Sequence, residues 1–333
     1  MKRRDLAKGM FGACGLAFGL TLACSPATAA GNDQQWPTKP VKLIVTFPPG
    51  GSADALARIL GARLESKFGQ PFIVENKVGA GGSIGTAYVA RAEPDGYTLL
   101  VSAGGSLVVN PLLTKQAYDA SRDFVPISQL VSSPFALVVN NAAFDNKVGD
   151  AKALIAQAKT QKLSFASGGS GTQMQLIGEL FNLLTQAGMT HVPYKGAGPA
   201  ITDLVGGHVP VAFVDLASMV PHLKNDKIKV LAISSTKRSP VAPQAPTATE
   251  AGLTGWQGTG WIGLLAPAGT PPTVVERLEK EVGDALRSQD IAERILVTGN
   301  EPAPSTSAEL RRFIEQETKQ WRYVIETVGV KAD

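Results

Sequence analysis

Along most of the chain, apolar runs of four or five residues alternate with stretches whose apolar positions recur every three or four residues. The first kind predicts buried β-strands and the second amphipathic helices. Val41-Lys42-Leu43-Ile44-Val45 reads as a strand, broken by Phe47-Pro48-Pro49-Gly50-Gly51. Ser52 then stands as a natural N-cap, and Leu56, Ile59, Leu60 and Leu64 follow at helical spacing. A second strand is expected at 71–74, with a glycine-rich loop from Gly79 to Gly85 and a helix through Tyr88 and Val89. A third strand at 97–101 opens into Ser102-Ala103-Gly104-Gly105-Ser106.

After a strand at 135–139 the pattern starts afresh. A helix is expected at 150–159 and a strand at 163–166, leading into Ser167-Gly168-Gly169-Ser170-Gly171 and a helix over 172–184. A strand at 191–194 precedes Lys195-Gly196-Ala197-Gly198 and a helix to Val205, and a strand at 209–214 ends at Asp215. The apolar stretch 204–220 is interrupted by Gly206, Gly207, Pro210 and Asp215, so it reads as helix end, strand and next helix rather than a membrane span. Strands at 229–234 and 261–266 follow. Val274, Leu278, Val282 and Leu286 then mark one amphipathic helix, and Leu310, Phe313, Ile314, Trp321 and Val324 a C-terminal one. These helices are too short and too separated for a bundle. The pattern is that of two α/β lobes.

Residues 1–29 stand apart. Lys2, Arg3, Arg4 and Lys8 precede an apolar run at 10–23 that is too short to span a membrane, and Ala27-Thr28-Ala29 supplies the small residues of a cleavage site. This reads as a secretory leader cut near Ala29. Arg3-Arg4-Asp5-Leu6-Ala7-Lys8 is similar to the twin-arginine signal Arg-Arg-x-Phe-Leu-Lys, departing from it at Leu6 and Ala7, so ordinary and twin-arginine export both stay open. Leu22-Ala23-Cys24 is similar to a lipoprotein box, except that Thr21 replaces the expected Leu.

Composition and charge change meaning once that leader is set aside. The 333 residues are 44% hydrophobic and 18% charged, which fits a packed globular chain and excludes a disordered or coiled-coil one. The formal charge is +4, from 32 basic and 28 acidic residues. Removing the leader's four basic residues and one acidic residue leaves 28 and 27, a net of +1. The basicity therefore points to export rather than to a polyanionic partner, and no basic patch with interleaved aromatics suggests nucleic acid. Cys14 and Cys24 both lie in the leader, so the mature chain would have no disulfide, catalytic cysteine or cysteine-ligated metal. His191, His208 and His222 lack metal-ligand spacing and read as satisfied or surface histidines.

Four loops share one design, in which glycines and a hydroxyl or Lys follow a strand and precede a helix. They are Gly50-Gly51-Ser52, Gly81-Gly82-Ser83, Gly168-Gly169-Ser170-Gly171-Thr172 and Lys195-Gly196-Ala197-Gly198. Such turns fall at the carboxyl edge of a parallel sheet, where main-chain N–H groups at helix starts can hold a small anion, a carboxylate above all. None contains Arg, so capture would rest on backbone N–H groups, hydroxyls and water. Asp54 and Asp215 beside these loops could accept from a ligand or stabilise a helix start. Gly81-Gly82-Ser83-Ile84-Gly85 matches the nucleophile-elbow spacing on paper, with Asp215 and His222 in triad order. Those two are seven residues apart with a helix expected between them, and Ser83 reads better as a helix cap.

The stretch from Trp36 through Val45-Thr46-Phe47-Pro48-Pro49-Gly50-Gly51-Ser52-Ala53-Asp54 is similar to the opening of the Bug family, the periplasmic solute-binding receptors of tripartite tricarboxylate transporters. Val74-Glu75-Asn76-Lys77, Pro94-Asp95-Gly96-Tyr97-Thr98-Leu99-Leu100, Val192-Pro193-Tyr194-Lys195-Gly196 and Leu264-Leu265-Ala266-Pro267-Ala268-Gly269-Thr270-Pro271 continue the resemblance in order over essentially the whole mature chain. It implies an α/β, two-lobed periplasmic-binding-protein fold of the Venus-flytrap, type II-like kind, with a cleft between lobes and two crossover segments. Residues 30–133 plus 257–333 would form lobe 1 and residues 134–256 lobe 2. The implied function is non-enzymatic and needs no cofactor: a monomer captures a small carboxylate (a di- or tricarboxylate, aromatic acid or acidic amino acid) and delivers it to membrane permease subunits. A ligand-sensing subunit for a signalling partner and an exported serine hydrolase using Ser83 are the alternatives.

The resemblance carries ligand contacts onto Phe47, Gly50, Gly51, Ser52 and Asp54 from one side, and Ser167, Gly168, Gly169 and Thr172 from the other, with Tyr194 and Asp215 lining the cleft. Gly82 and Ser83 join them from the second glycine loop. Ser102, Ala103 and Gly104 would form the variable part of the pocket, their small size suggesting room for a bulkier ligand. Thr46 stands where members often carry Pro, and Phe213-Val214-Asp215-Leu216 departs from the usual Phe-Asp-Asn.

Overall fold

In the computed structural model, residues 36–331 are described; the expected leader, its expected cleavage site and both cysteines lie outside them. The first strand, β1 (Val41–Val45), is the apolar run read from the sequence, and α1 (Ser52–Phe68) follows it. Ala53, Leu56, Ala57, Leu60 and Leu64 form the buried stripe of α1, and Gly69 ends it in the left-handed conformation that spares a side chain strain. Then come β2 (Phe72–Asn76), α2 (Ser83–Ala90) and β3 (Thr98–Ala103). A π-helical turn at Gly105–Val109 runs into the short α3 (Asn110–Leu113), neither of which the periodicity predicts.

The next element corrects the sequence reading. Instead of five residues at 135–139, β4 (Phe124–Asn140) is a single strand of 17 residues. Pro126, Ser128, Gln129 and Ser132 hide its first half. Register irregularities between Pro126 and Ser128, and between Gln129 and Val131, let the ladder absorb the proline. After it come α4 (Ala151–Thr160), β5 (Ser164–Ser167), α5 (Gln173–Thr185), β6 (Thr190–Pro193), α6 (Ala197–Gly206), β7 (Val211–Asp215), α7 (Leu216–Met219) and β8 (Ile228–Ile233). The chain closes with β9 (Thr259–Pro267), α8 (Pro272–Arg287), α9 (Gln289–Val297), β10 (Glu301–Pro302) and α10 (Ser307–Val328). A complete capping box, Thr306 with Glu309, starts α10.

The strands pair in the order β2-β1-β3-β9-β4-β7-β5-β6, with β8 and β10 also on β4. β1 is parallel to β2 and β3, and β5 is parallel to β6 and β7. The long β4 joins these two parallel groups. Its first part, to Pro134, pairs with β9, and from Phe135 onward it pairs with β7 and β8 on either side. The chain passes between the groups a second time between β8 and β9. There Ser234 binds the two passages together, donating to the Gly258 carbonyl while its hydroxyl accepts from the Phe135 N–H at 2.8 Å.

Strand register places the carboxyl ends of both parallel groups. Ala103, the last residue of β3, is opposite Ile262, which pairs with Val131 of β4. Asp215, the last residue of β7, pairs with Phe135. Four residues of β4 separate these points, about 13 Å of strand. The loops after β1 and β3 and those after β5 and β7 therefore issue towards the middle of one strand.

Candidate functional site

The β1–α1 loop is built on a buried carboxylate. Gly50, Gly51 and Ser52 are exposed, whereas Asp54 is only 4% exposed. Arg58 grips Asp54 through two parallel bonds, Nε to Oδ2 at 3.0 Å and an Nη to Oδ1 at 2.9 Å. Gly50 N–H donates to Oδ2, and Asn76 Nδ2 donates both to Oδ1 and to the Phe47 carbonyl. Arg58, then Gly50 and Asn76, hold the carboxyl down to about 2. Asp54 thus shapes the loop from beneath, and its charge is covered. Gly50 needs its residue type, since φ is +81°. Ser52 is not the cap expected of it: Gly51 is the N-cap, no side chain caps the helix, and Ser52 is the first helical residue. The first-turn N–H groups at 52–54 have no acceptor within the helix, as at any helix start.

Behind this loop runs a buried hydroxyl chain. Thr46 Oγ1 lies 3.0 Å from Ser102 Oγ, which lies 2.6 Å from Ser106 Oγ. Gly82 packs against it, since a Cβ there would stand 3.2 Å from both Thr46 Oγ1 and Ser106 Cβ. Ser83, like Ser52, follows a glycine cap rather than capping α2 itself. Its Oγ accepts from Asn110 Nδ2 at 3.1 Å and lies 3.4 Å from Tyr118 Oη. Asp215 is occupied as the N-cap of α7, Oδ1 accepting from Ser218 N–H and Oδ2 from its hydroxyl. The triad suggested by residue order is therefore not assembled.

On the second group, Ser167 is fully buried and its hydroxyl lies 2.6 Å from His191 Nε2, so this histidine is satisfied, as expected. Gly168 and Gly169 are half-buried. Thr172 caps α5, accepting from Gln175 N–H at 3.3 Å and donating to the Gly169 carbonyl at 2.7 Å. The loop after β6 lies alongside, with Tyr194 N–H donating to the Ser167 carbonyl and Gly196 N–H to that of Gly168. A Cβ on Gly169 would come within 2.9 Å of the Tyr194 carbonyl. Tyr194 Oη donates to Asp203 at 2.8 Å, and burial together with that carboxylate pushes the phenol up to about 12.

The third segment changes the picture. Ser102 is fully buried in its hydroxyl chain, Ala103 is half-buried, and Gly104 is buried. The room expected at Gly104 is already taken: a Cβ there would sit 2.6 Å from Trp261 Nε1 and 2.7 Å from Gln173 Nε2. Sequence reasoning missed Arg58, Asn76, Gln173 and Trp261. Of these, only Arg58, spaced i,i+4 from Asp54, leaves a local signal.

Comparison with known proteins decides the family. Residues 56–330 match the tripartite tricarboxylate transporter family receptor, TctC. The chain belongs to this family. BugT of Bordetella pertussis is 36% identical over 317 residues, covering 94% of this chain and 96% of BugT. An R. palustris protein solved with adipate has a TM-score of 0.75 and 33% identity, covering 89% of this chain and 99% of that one. MatC from Rhodopseudomonas palustris with bound malate has a TM-score of 0.71 and 33% identity, covering 87% and 100%. This TctC-family chain therefore has the α/β periplasmic-binding-protein fold and is a solute-binding receptor. Among its described residues no helix is long and apolar enough to cross a membrane.

Proposed function

We propose that this receptor works in the periplasm, taking a small organic carboxylate between two lobes and handing it to the permease subunits of a tripartite tricarboxylate transporter. Lobe 1 comprises residues 30–133 plus 257–333 and lobe 2 residues 134–256, with β4 and the passage after β8 as hinges. One carboxylate is held by the main-chain groups of Gly50, Gly51 and Ser52, and the far end of the ligand meets Gly168, Gly169 and Thr172. The observation that carries this reading is the convergence of two glycine–hydroxyl helix starts on the middle of β4, with the adjacent Asp54 charge covered by Arg58. Helix-start N–H groups and hydroxyls then face an anion, with the Asp54 charge paired to Arg58 and Asp215 turned to the start of α7. The adipate and malate bound to two relatives support a di- or tricarboxylate, with an aromatic acid or acidic amino acid as further members of the class.

The test is thermal unfolding against panels of mono-, di- and tricarboxylates and amino acids. A ligand at a hundred times its Kd adds about 2.7 kcal/mol to stability, so at least one acid is expected to raise Tm by several degrees. No shift across all panels would sink the proposal.

A further inference from the structure

Glu317, on α10, belongs to none of the glycine loops, yet it is buried where the two strand groups meet. Trp261 Nε1 donates to Oε2 at 2.6 Å, while Trp321 Nε1 and Gln173 Nε2 each donate to Oε1 at 3.0 Å. Trp261 is on β9, which pairs with β3, and α10 packs on β4 and the π-helical turn. Gln173 comes from the other group, as the first residue of α5, which packs over β5 and β7. The Gln173–Glu317 bond therefore spans the junction. It ends directly after Thr172, and the Gln173 amide lies against Gly104.

We propose that Glu317 is a positioning residue for ligand capture: through Gln173 it holds the start of α5, and with it the main chain of loop 168–172, against Gly104 and the segment following β3. This inference rests on the receptor reading above.

Among the described residues, no charged side chain bonds to the carboxyl. From β9 comes Trp261, from α5 Gln173 and from its own helix Trp321; on β4, Ser133 is turned to α7, its hydroxyl accepting from the Ala217 N–H. A cavity of about 280 Å³ beside it is lined by Ser234, Thr236, Gln257, Thr259 and Gln320 among others, with Glu317 its one ionisable residue. Glu315 and Lys319 on α10 line a different cavity, and Glu179, further along α5, is engaged by Asn182. Burial pushes the Glu317 carboxyl up to about 7, against the pull of the three N–H donors. When protonated, it sets an O–H among donors and leaves one oxygen a poor acceptor. When ionised, it accepts all three bonds in their stronger, charge-assisted form. The tie tightens as pH rises through neutrality.

The first measurement needs no ligand. The indole N–H resonances of Trp261 and Trp321 are expected to titrate together near neutral pH in the wild type and to lose that titration in Glu317→Gln, with Trp36 and Trp256 as internal controls. Their failing to titrate, or titrating unchanged in the variant, overturns the tie.

The second measurement is calorimetric binding of adipate and of malate one pH unit either side of that midpoint. Affinity in the wild type is expected to be higher above it. Gln173→Ala, which removes a half-buried side chain and keeps Glu317 with both indoles, is expected to bind about tenfold more weakly and without the pH dependence. Wild-type affinity in Gln173→Ala, or a pH dependence that survives in it, overturns the positioning role. If the wild type binds neither these acids nor any panel member, the receptor reading fails by itself, and the indole titration still decides the tie.

Discussion

Asp54 and Glu317 are both buried carboxylates, and their surroundings push them in opposite directions. Asp54 is held by a bidentate Arg and two N–H donors, so the folded state prefers its ionised form. Its contribution is present above its ordinary 3.8 and is lost as pH falls towards about 2. Glu317 has no cation, and burial raises it from 4.5 to about 7. The folded state then holds this proton more tightly than the unfolded state does, so stability falls as pH climbs across that interval. The loss is about 3 kcal/mol at most. Glu317→Gln turns a carboxamide NH₂ towards three donors and is destabilised at acid pH. Its deficit relative to wild type is expected to narrow between about pH 5 and pH 8, read from urea midpoints; a widening deficit would refute the assignment. Gly104→Ala is expected to cost about 1–3 kcal/mol, because the new methyl must displace Trp261 or Gln173. At this scale the sequence exposes only what is local. Asp54 and Arg58 can be paired by their spacing, whereas Asn76, 22 residues from Asp54, and Gln173, 144 residues from Glu317, meet their partners only through the fold.

For whole elements, patterning reads well wherever one apolar stripe or run meets one packed face. β1, α1 and α10 are of this kind. Caps read less well, because a hydroxyl next to a glycine can be either the cap or the first helical residue. Asp150 is a working cap, accepting from Ala153 N–H at 2.7 Å, while Ser52 caps nothing. Asp150→Ala is therefore expected to cost about 1 kcal/mol, and Ser52→Ala to stay within about 0.5 kcal/mol of wild type in chemical denaturation. If Ser52 touches ligand as proposed, the same substitution weakens binding while leaving stability alone; a matched loss of both would show it to be structural. β4 marks the limit of pattern reading. Its first half carries two serines, a glutamine and a proline, which β9 and the register irregularities accommodate.

Across the whole molecule, one long strand unites two parallel groups, and the chain passes between them twice. Hinge closure over a ligand would draw the loops on either side of β4 together. X-ray scattering with saturating adipate, malate or whichever acid raises Tm is expected to show a smaller radius of gyration than the free protein. An unchanged radius with ligand demonstrably bound would argue that capture needs no closure.

Most of the order of strands and helices, the glycine–hydroxyl loops and the family resemblance could be read from the chain alone, because they depend on neighbours within a few residues. Tertiary structure alone decided that two sets of carboxyl-end loops point to one stretch of β4, that Asp54 is held beneath its loop, and that Trp261 and Gln173 pack against Gly104. Apart from the Asp54–Arg58 pair, which is local, these depend on which distant segments share a volume. Local periodicity carries no information about that; strand register and side-chain packing determine it.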